Sequence, residues 1–262
     1  MSKNSIPPIL SNNIISSTRR CSLPEEIKLD ALAIAAHRDD TEIVSGGTLI
    51  KLVDLGYSVG ILDLTAGESG TRGDATTRAE EARCAAGAMG LKYRHNLELP
   101  DAGLYDTQEN ALKVAEIIRL TRPELVILPY WIQRHPDHAA ASLIGYRGCF
   151  LSGLIKMPLI GNAHRPRKII YSTSFQDVEH SFAIDITKQF ERKKQAVACY
   201  KTQFEEKQGV REVYPPARDI FDYMEIRARQ YGYMISATYA ECFFQREKFS
   251  FDDPLKIPGI SI

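Results

Sequence analysis

Short apolar runs alternate with segments of helical periodicity along most of this chain, and no other feature restricts its fold as much. Residues 29–36 form a mostly apolar run, residues 41–55 place apolar side chains at helical spacing, and Gly56 supplies a stop. The alternation continues to residue 244. Strands that alternate with helices indicate right-handed βαβ crossovers. The sequence therefore predicts an α/β fold with a mostly parallel sheet.

The predicted elements form one continuous unit. Strands are expected at residues 29–36, 58–64, 93–97, 125–129, 168–174, 182–186 and 237–244, and helices at residues 41–55, 76–89, 107–120, 139–154, 187–204 and 218–231. No repeat or linker divides this pattern, so we expect a single domain over residues 27–250. Residues 1–26 are polar and interrupted by prolines, which predicts a poorly ordered extension, and residues 251–262 form a tail.

The charge balance argues against one broad class of function. Lys and Arg together number 33, Asp and Glu also number 33, and no basic run stands out. A nucleic-acid binder needs a basic excess to neutralise phosphates, so we expect no nucleic-acid partner. No segment approaches the ~20 apolar residues of a membrane span, and the N-terminal residues do not resemble a secretory signal. We therefore expect a cytoplasmic protein with no membrane partner.

The cysteines predict free thiols. There are five, an odd number, and they are scattered singly without a CxxC pair. A disulfide framework or a thiolate zinc site is therefore not expected, and the thiols are interpreted as buried or incidental groups in a reducing compartment.

Two clusters of polar residues each follow a predicted strand directly. The first is the segment Ala36-His37-Arg38-Asp39-Asp40, after the first strand, and the second is Arg134-His135-Pro136-Asp137-His138, after the fourth. Ligand sites of open parallel sheets lie beyond the carboxyl ends of the strands. If the first and fourth strands are neighbours at the switch point of a doubly wound sheet, the two clusters meet.

These residue types at this spacing indicate a catalytic metal site. A catalytic zinc ion takes three His or carboxylate ligands and keeps one open position, and His37, Asp40 and His138 can supply such a set. Ferrous iron also accepts these ligands. Asp39 is then the expected general base that activates water, while His135 is expected to stabilise the developing charge and to protonate the leaving group. Asp137 can orient one of the imidazoles.

Simpler interpretations exist for each cluster alone. An Asp beside a helix start is often only a helix cap, and a His at such a place is often only a surface residue. A nucleotide-binding module is a further alternative, supported only by Gly46-Gly47, since the chain has neither GxGxxG nor a P-loop. The two clusters together supply a complete ligand set, which favours the metal site.

The same residues resemble the PIG-L (LmbE-like) family of zinc-dependent N-acetylglucosamine deacetylases. The resemblance covers roughly residues 28–246 and includes the segment 36–40, Gly46-Gly47-Thr48 and the segment 135–138. Arg38 stands where the family has proline. The resemblance implies a Rossmann-like three-layer sandwich with a smaller C-terminal β/α extension. It also implies the roles assigned above: zinc ligands His37, Asp40 and His138, base Asp39, and transition-state stabiliser His135.

Within the family, the chain is similar to the deacetylases of bacillithiol biosynthesis, which act on N-acetyl-glucosaminyl malate. The likeness includes the segments 63–68, 77–82, 99–101 and 239–241. It implies that Arg78 and Arg134 face the substrate, where guanidinium groups can engage the malate carboxylates, and that Asp101 suits sugar hydroxyls. The alternative for Arg78 is a helix-surface pair with Glu81. The likeness to these deacetylases further implies an amino-sugar conjugate as the binding partner and a homo-oligomeric assembly. The alternative substrate is another N-acetylglucosaminide, or a thiol or antibiotic conjugate.

Overall fold

The structure, a computed structural model, describes residues 27–173, 178–204 and 219–258. The predicted extension over residues 1–26 lies outside the described residues, and so do residues 259–262 of the predicted tail. All strands of the described part belong to one sheet, which helices cover on both faces. In these ranges, no helix combines the length and the apolar character needed to cross a membrane.

The helices and strands follow the predicted order along the chain. The strands are β1 (Ala31–Ala35), β2 (Val59–Thr65), β3 (Tyr93–Leu99), β4 (Leu125–Pro129), β5 (Lys168–Ser172), β6 (Phe182–Asp185) and β7 (Ala240–Phe244). The helices are α1 (Asp40–Asp54), α2 (Ala75–Met89), α3 (Gln108–Thr121), α4 (Pro136–Ser152), α5 (Phe190–Ala198), α6 (Lys201–Phe204) and α7 (Ile220–Met234). The prediction of one helix over residues 187–204 is wrong, because the chain leaves the helix at Cys199 and Tyr200.

The sheet has the order β3-β2-β1-β4-β5-β7-β6. The first five strands pair in parallel, and only β7 is antiparallel to its neighbours β5 and β6. The predicted mostly parallel α/β sheet is thus confirmed. Its connections reverse direction between β1 and β4, which are direct neighbours, and this is the switch point at which doubly wound sheets place their ligand sites.

Alternate side chains of β1 point to opposite faces of the sheet and pack in two separate hydrophobic cores. Leu32 and Ile34 pack on one face with residues of α3 and α4, such as Val114 and Ile144. Ala31 and Ala33 pack on the other face with residues of α1, α2 and α5. Because helices cover both faces, every residue of β1 is buried, which explains the continuous apolar run in the sequence.

The expectation that all cysteines are unpaired is wrong for two of them. Cys84 of α2 and Cys199, directly after α5, form a disulfide with a Cα–Cα distance of 5.8 Å. The partners are 115 positions apart and lie on helices that pack together only in the folded chain, so no CxxC spacing could reveal them. Cys149 and Cys242 are buried free thiols, as expected.

Candidate active site

The two predicted clusters meet where β1 and β4 end. The turn after β1 carries His37, Arg38 and Asp39 and leads into α1 at Asp40. The loop after β4 leads into α4, with His135 as its N-cap and Pro136 in its first turn. Since β1 and β4 pair in parallel, both turns lie at the same edge of the sheet.

The donor atoms of three residues converge between these turns. Nδ1 of His37 lies 3.3 Å from Nε2 of His138 and 3.3 Å from Oδ2 of Asp40, while Nε2 of His138 lies 3.1 Å from Oδ1 of Asp40. Donors that bind one zinc ion tetrahedrally at about 2.0–2.1 Å are separated by about 3.3 Å from each other. The residues present therefore fit a tetrahedral divalent cation.

A second group of possible donors shares His37. It consists of His37, His135 and Asp137, whose donor atoms also lie within 4.8 Å of one another. In this group, however, Nδ1 of His135 already accepts a hydrogen bond from the Asp137 amide, and the Asp137 carboxylate accepts from the amides of Ala102 and Leu104. The group with Asp40 and His138 is the better metal site.

Asp101 and Asp137 surround the other ring nitrogen of His37. Oδ1 of Asp101 lies 3.0 Å from Nε2 of His37, and Oδ2 of Asp137 lies 3.5 Å from it. The Asp101 carboxylate also accepts from the backbone amides of Ser69 and Ala102. A carboxylate on the outer nitrogen of a ligating histidine fixes the ring and its tautomer. The structure thus places Asp101 against a donor histidine, although sequence reasoning had assigned it to the substrate.

The electrostatics of the donor cluster favour a cation. Burial would lower the pKa of His37, but Asp40, Asp101 and Asp39 outweigh it and raise that pKa to about 11. Burial opposes ionisation of Asp40 too, yet His138 and His37 hold its pKa well below the ordinary value. The carboxylates therefore stabilise positive charge at the point where the three donors meet.

Asp39 does not serve as a helix cap. It occupies the N-cap position of α1, but its side chain makes no capping hydrogen bond. The Arg78 guanidinium lies beside it, with Nη2 at 4.0 Å from Oδ1. Burial, followed by the charge of Asp40, raises the pKa of the Asp39 carboxyl. The carboxylate is thus adjacent to the donors and makes no capping bond to α1, which leaves it available to accept a proton.

The hydrogen bonding of His135 determines its neutral tautomer. The Asp137 amide donates to Nδ1 at 3.2 Å, so in the neutral ring the proton is on Nε2. Burial, followed by the nearby His138 and His37, lowers the pKa of His135. The ring stacks on His138 with centroids 4.9 Å apart, which places its N–H group beside the donor cluster.

The two arginines expected to face a substrate differ in their surroundings. Arg78 is buried, and its Nη1 donates to the carbonyl of Gly67 at 2.7 Å, while its Nε has no partner within the described structure. Gly67 has a φ of +73°, and a Cβ there would collide with the guanidinium, so the loop needs glycine at this point. Arg134 is exposed on the loop that precedes α4.

A buried ionic network, which the sequence analysis did not predict, stabilises the turn formed by residues 37–39. Arg94 of β3 pairs with Asp63 of β2 and with Glu42 of α1. Its guanidinium and the hydroxyl of Tyr200 both donate to the carbonyl of Arg38. Since Arg38 lies between His37 and Asp39, these two bonds fix the backbone between those two residues.

Arg38, which stands where the family has proline, makes a contact that a proline side chain could not make. The Arg38 side chain is buried and donates through Nη1 to the carbonyl of Ala75, the first residue of α2, at 2.7 Å. It therefore ties the catalytic turn to the helix that carries Arg78. A proline would restrict the turn through its ring instead, but would make no such contact.

The C-terminal part of the chain positions α1 through Glu241. This buried carboxylate accepts from the amides of Gly47 and Thr48 at 2.9 and 2.7 Å and from Nζ of Lys193 at 2.7 Å. A Cβ at position 47 would lie 2.6 Å from Cδ1 of Ile186 and 3.0 Å from Oε1 of Glu241. Glycine at 47 thus allows the close approach, which gives Gly46-Gly47 a structural reason unrelated to nucleotides.

Comparison with known proteins shows the family of this chain. The model of the family described as PIG-L, GlcNAc-PI de-N-acetylase, matches residues 32–147, which include all three donors. The diacetylchitobiose deacetylase of Thermococcus kodakarensis is 32% identical over 223 residues, or 80% of this chain and 80% of that protein.

Solved structures extend the likeness. A conserved protein of Thermus thermophilus has a TM-score of 0.77 and 34% identity, with 85% of this chain and 97% of that chain covered. The N,N'-diacetylchitobiose deacetylase of Pyrococcus horikoshii, solved with its inhibitor MPG, has a TM-score of 0.69 and 25% identity over 81% of this chain and 82% of that chain. Because such similarity spans most of each chain and includes the donor cluster, this chain belongs to the PIG-L family of deacetylases.

Proposed function

We propose that this protein hydrolyses the acetamide of an N-acetylglucosaminide, with N-acetyl-glucosaminyl malate as its substrate and zinc as its metal. The observation that carries the proposal is the convergence of His37, Asp40 and His138 beside an uncapped Asp39. When bound by these donors, zinc polarises the amide carbonyl and makes water a better nucleophile, and ferrous iron suits the same donors.

The chain's own residues supply the proton transfers. Asp39 accepts the proton of the attacking water, since its carboxylate is not engaged by the helix start. His135 stabilises the charge on the carbonyl oxygen and delivers a proton to the departing amine, for which it carries a proton on Nε2. Asp101 and Asp137 orient His37 through its outer nitrogen. Acetate and the free amine are the products.

The choice of a malate conjugate rests on Arg78 and Arg134. Arg78 lies 4.0 Å from Asp39, and Arg134 directly precedes His135 in the sequence. A guanidinium binds a carboxylate bidentately, so an anionic aglycone would be preferred over a neutral one. The alternative is the same amide chemistry on another N-acetylglucosaminide, such as a diacetylchitobiose-like sugar or a thiol or antibiotic conjugate. A nucleotide ligand is disfavoured, because Asp39 and Asp40 at the start of α1 repel phosphate.

Acetate release from paired substrates tests the proposal. Zinc-loaded protein is assayed on N-acetyl-glucosaminyl malate and on the methyl glycoside of N-acetylglucosamine, for the parent and for Arg134→Ala. We expect a higher kcat/KM on the malate conjugate and a loss of that preference in the variant. Equal rates on both substrates would remove the malate assignment. No acetate from either substrate, with metal bound, would remove deacetylation itself.

The cellular location and the oligomeric state of the enzyme form a separate proposal. We infer a cytoplasmic homo-oligomer, because the sequence resembles self-associating deacetylases that act on small amino-sugar conjugates. Light scattering and cell fractionation test these two points separately.

A further inference from the structure

The loop between β4 and α4, residues 130–135, carries two residues of the candidate site. His135 is held by the helix that follows, because it is the N-cap of α4 and its ring stacks on that of His138. Arg134 is exposed and lies outside the helix. Its position therefore depends on how the start of the loop is held, and that start contains the half-buried Trp131.

The indole ring of Trp131 packs among aromatic rings. It stacks on Tyr130 with centroids 4.0 Å apart, and it meets Tyr171 and Phe244 edge to face at 5.0 and 5.3 Å. Tyr171 belongs to β5 and Phe244 to β7, the two strands that follow β4 in the sheet. Edge-to-face pairs at these distances are favourable. The ring thus ties the start of the loop to the sheet.

Arg246, which follows β7, places its guanidinium over this aromatic cluster. Its Cζ lies 4.3 Å from the ring centroid of Trp131, 4.7 Å from that of Tyr146 and 5.0 Å from that of Tyr171. A cation within about 6 Å of a ring centroid is attracted by the negative face of the ring. Since Tyr146 belongs to α4 and Tyr171 to β5, one cation joins the loop to a helix and a strand.

We propose that Arg246 is a positioning residue, which holds Trp131 and thereby keeps Arg134 in place to bind the carboxylate of an anionic aglycone. The inference rests on the proposed function and names a determinant of its specificity. Arg134 follows Trp131 closely in the chain, so a displaced indole ring displaces the guanidinium as well. A bidentate contact with a carboxylate depends on exact placement. A neutral glycoside offers Arg134 no carboxylate, so its hydrolysis should not respond to Arg246.

The first test compares an anionic with a neutral substrate. Acetate release by the zinc-loaded protein is measured on N-acetyl-glucosaminyl malate and on the methyl glycoside of N-acetylglucosamine. Arg246→Ala should lower kcat/KM for the malate conjugate by about fivefold, the effect of one exposed cation–π contact, and mainly through KM. For the methyl glycoside, kcat/KM should stay at the parent value. An equal fall on both substrates would indicate a merely structural role and overturn the proposal, as would no fall on either.

Two further variants isolate the contribution of the cation. Arg246→Lys keeps a positive charge beside the Trp131 ring and should retain part of the preference for the malate conjugate, because an ammonium group also binds ring faces. Arg229 makes the same kind of contact with Tyr239, at 4.9 Å, but it belongs to α7, and Arg229→Ala should keep the parent preference. An Arg246→Lys variant no better than Arg246→Ala, or an equal loss in Arg229→Ala, would overturn the proposal.

A double-mutant cycle tests whether Arg246 acts through Trp131. Trp131→Leu removes the aromatic ring and should itself lower the preference for the malate conjugate. In that background, Arg246→Ala should lower the preference no further, because the two residues act as one unit. If Arg246 bound the aglycone carboxylate directly, its removal would cause the same loss with and without the indole ring. That result would overturn the proposed route.

The fluorescence of Trp131 gives a readout that does not require turnover, since it is the single tryptophan of the chain. Arg246→Ala should increase the quenching of its emission by acrylamide and speed up hydrogen exchange of the amides of residues 130–135. Parent-like quenching and exchange in this variant would overturn the proposal.

The same measurements separate failure of this inference from failure of the proposed function. A parent protein that releases acetate from neither substrate would contradict the proposed function, while quenching and exchange would still decide whether Arg246 holds the loop. A parent that hydrolyses both substrates at equal rates would contradict the malate assignment and, with it, the role of Arg246 in specificity.

Discussion

Nδ1 of His37 and Nε2 of His138 lie 3.3 Å apart, although 101 positions separate the two residues along the chain. His37 lies just after the end of β1, His138 lies in the first turn of α4, the helix after β4, and Asp40 contacts both rings. The three donors come together only across the β1–β4 pair, so the site exists only when the sheet is formed. A metal ion bound by these three residues would therefore couple its binding to folding.

Removal of one donor should release the metal. His138→Ala leaves two of the three ligands, and we expect the variant to lose its zinc on dialysis while the parent keeps about one ion per chain. Zinc should raise the melting temperature of the parent but not of the variant. His164→Ala is the control, since the His164 ring hydrogen-bonds to the carbonyl of Pro123. Parent-like zinc content in His138→Ala would contradict the assigned ligand set.

Replacement of the base should separate metal binding from catalysis. Asp39→Asn keeps the size of the side chain and removes no capping bond, so the fold and the zinc content should persist. We expect kcat to fall by roughly 10²- to 10⁴-fold. Steady-state kinetics and metal analysis check this, with the exposed Asp252→Asn as control. A variant with parent-like kcat would assign the base to another residue.

Removal of the Arg94 guanidinium should lower the free energy of unfolding substantially. Arg94→Met leaves Asp63 and Glu42 buried without their cation, and removing one partner of a buried pair costs about 3–5 kcal/mol. Tyr200→Phe removes a single hydroxyl and should cost about 1 kcal/mol. Urea unfolding of both variants measures the difference. If Arg94→Met were as stable as Tyr200→Phe, the network would not anchor the catalytic turn.

The disulfide between Cys84 and Cys199 should stabilise the fold. Its loop is long, and opening it is expected to lower the free energy of unfolding by about 2–4 kcal/mol. Cys84→Ser should show this loss in urea unfolding, and the parent in reductant should fall to the same value. Reductant should not destabilise Cys84→Ser further, which serves as the internal control. If reductant did not change the free energy of unfolding of the parent, the disulfide would contribute little to stability.

The free thiol of Cys149 should resist ionisation. Burial raises its pKa from 9.0 to about 12, so the folded protein keeps this proton at a pH where the unfolded chain loses it. The thiol's contribution to stability is therefore complete below pH 9 and declines as the pH rises from 9 towards 12. Iodoacetamide at about pH 8, below both pKa values, should label Cys149 only after denaturation, as peptide mass spectrometry can show. Rapid labelling of the folded protein would disprove this burial.

The order of elements along the chain and the position of the site could be predicted because they depend on local patterns. The buried run before His37 and the run before Arg134 each end at a polar cluster, and the βαβ pattern places such ends at one edge. The roles of His37, Asp40 and His138 followed from ligand chemistry. The resemblance assigns Asp101 to sugar hydroxyls, and the structure adds a contact with the His37 ring that no local pattern indicates.

By itself, the sequence determined the α/β pattern, the metal-binding residue types and the edge of the sheet at which they lie, since periodicity and motifs are properties of neighbouring residues. Only the tertiary structure decided which residues stabilise the site and the fold around it. These interactions are the hydrogen bonds of Arg94 and Tyr200 to the Arg38 carbonyl, those of the α1 amides to Glu241, and the disulfide between Cys84 and Cys199. Each of these joins single residues far apart in the chain. A lone residue has no periodicity, so its partner is set by packing of the whole chain and not by any local signal.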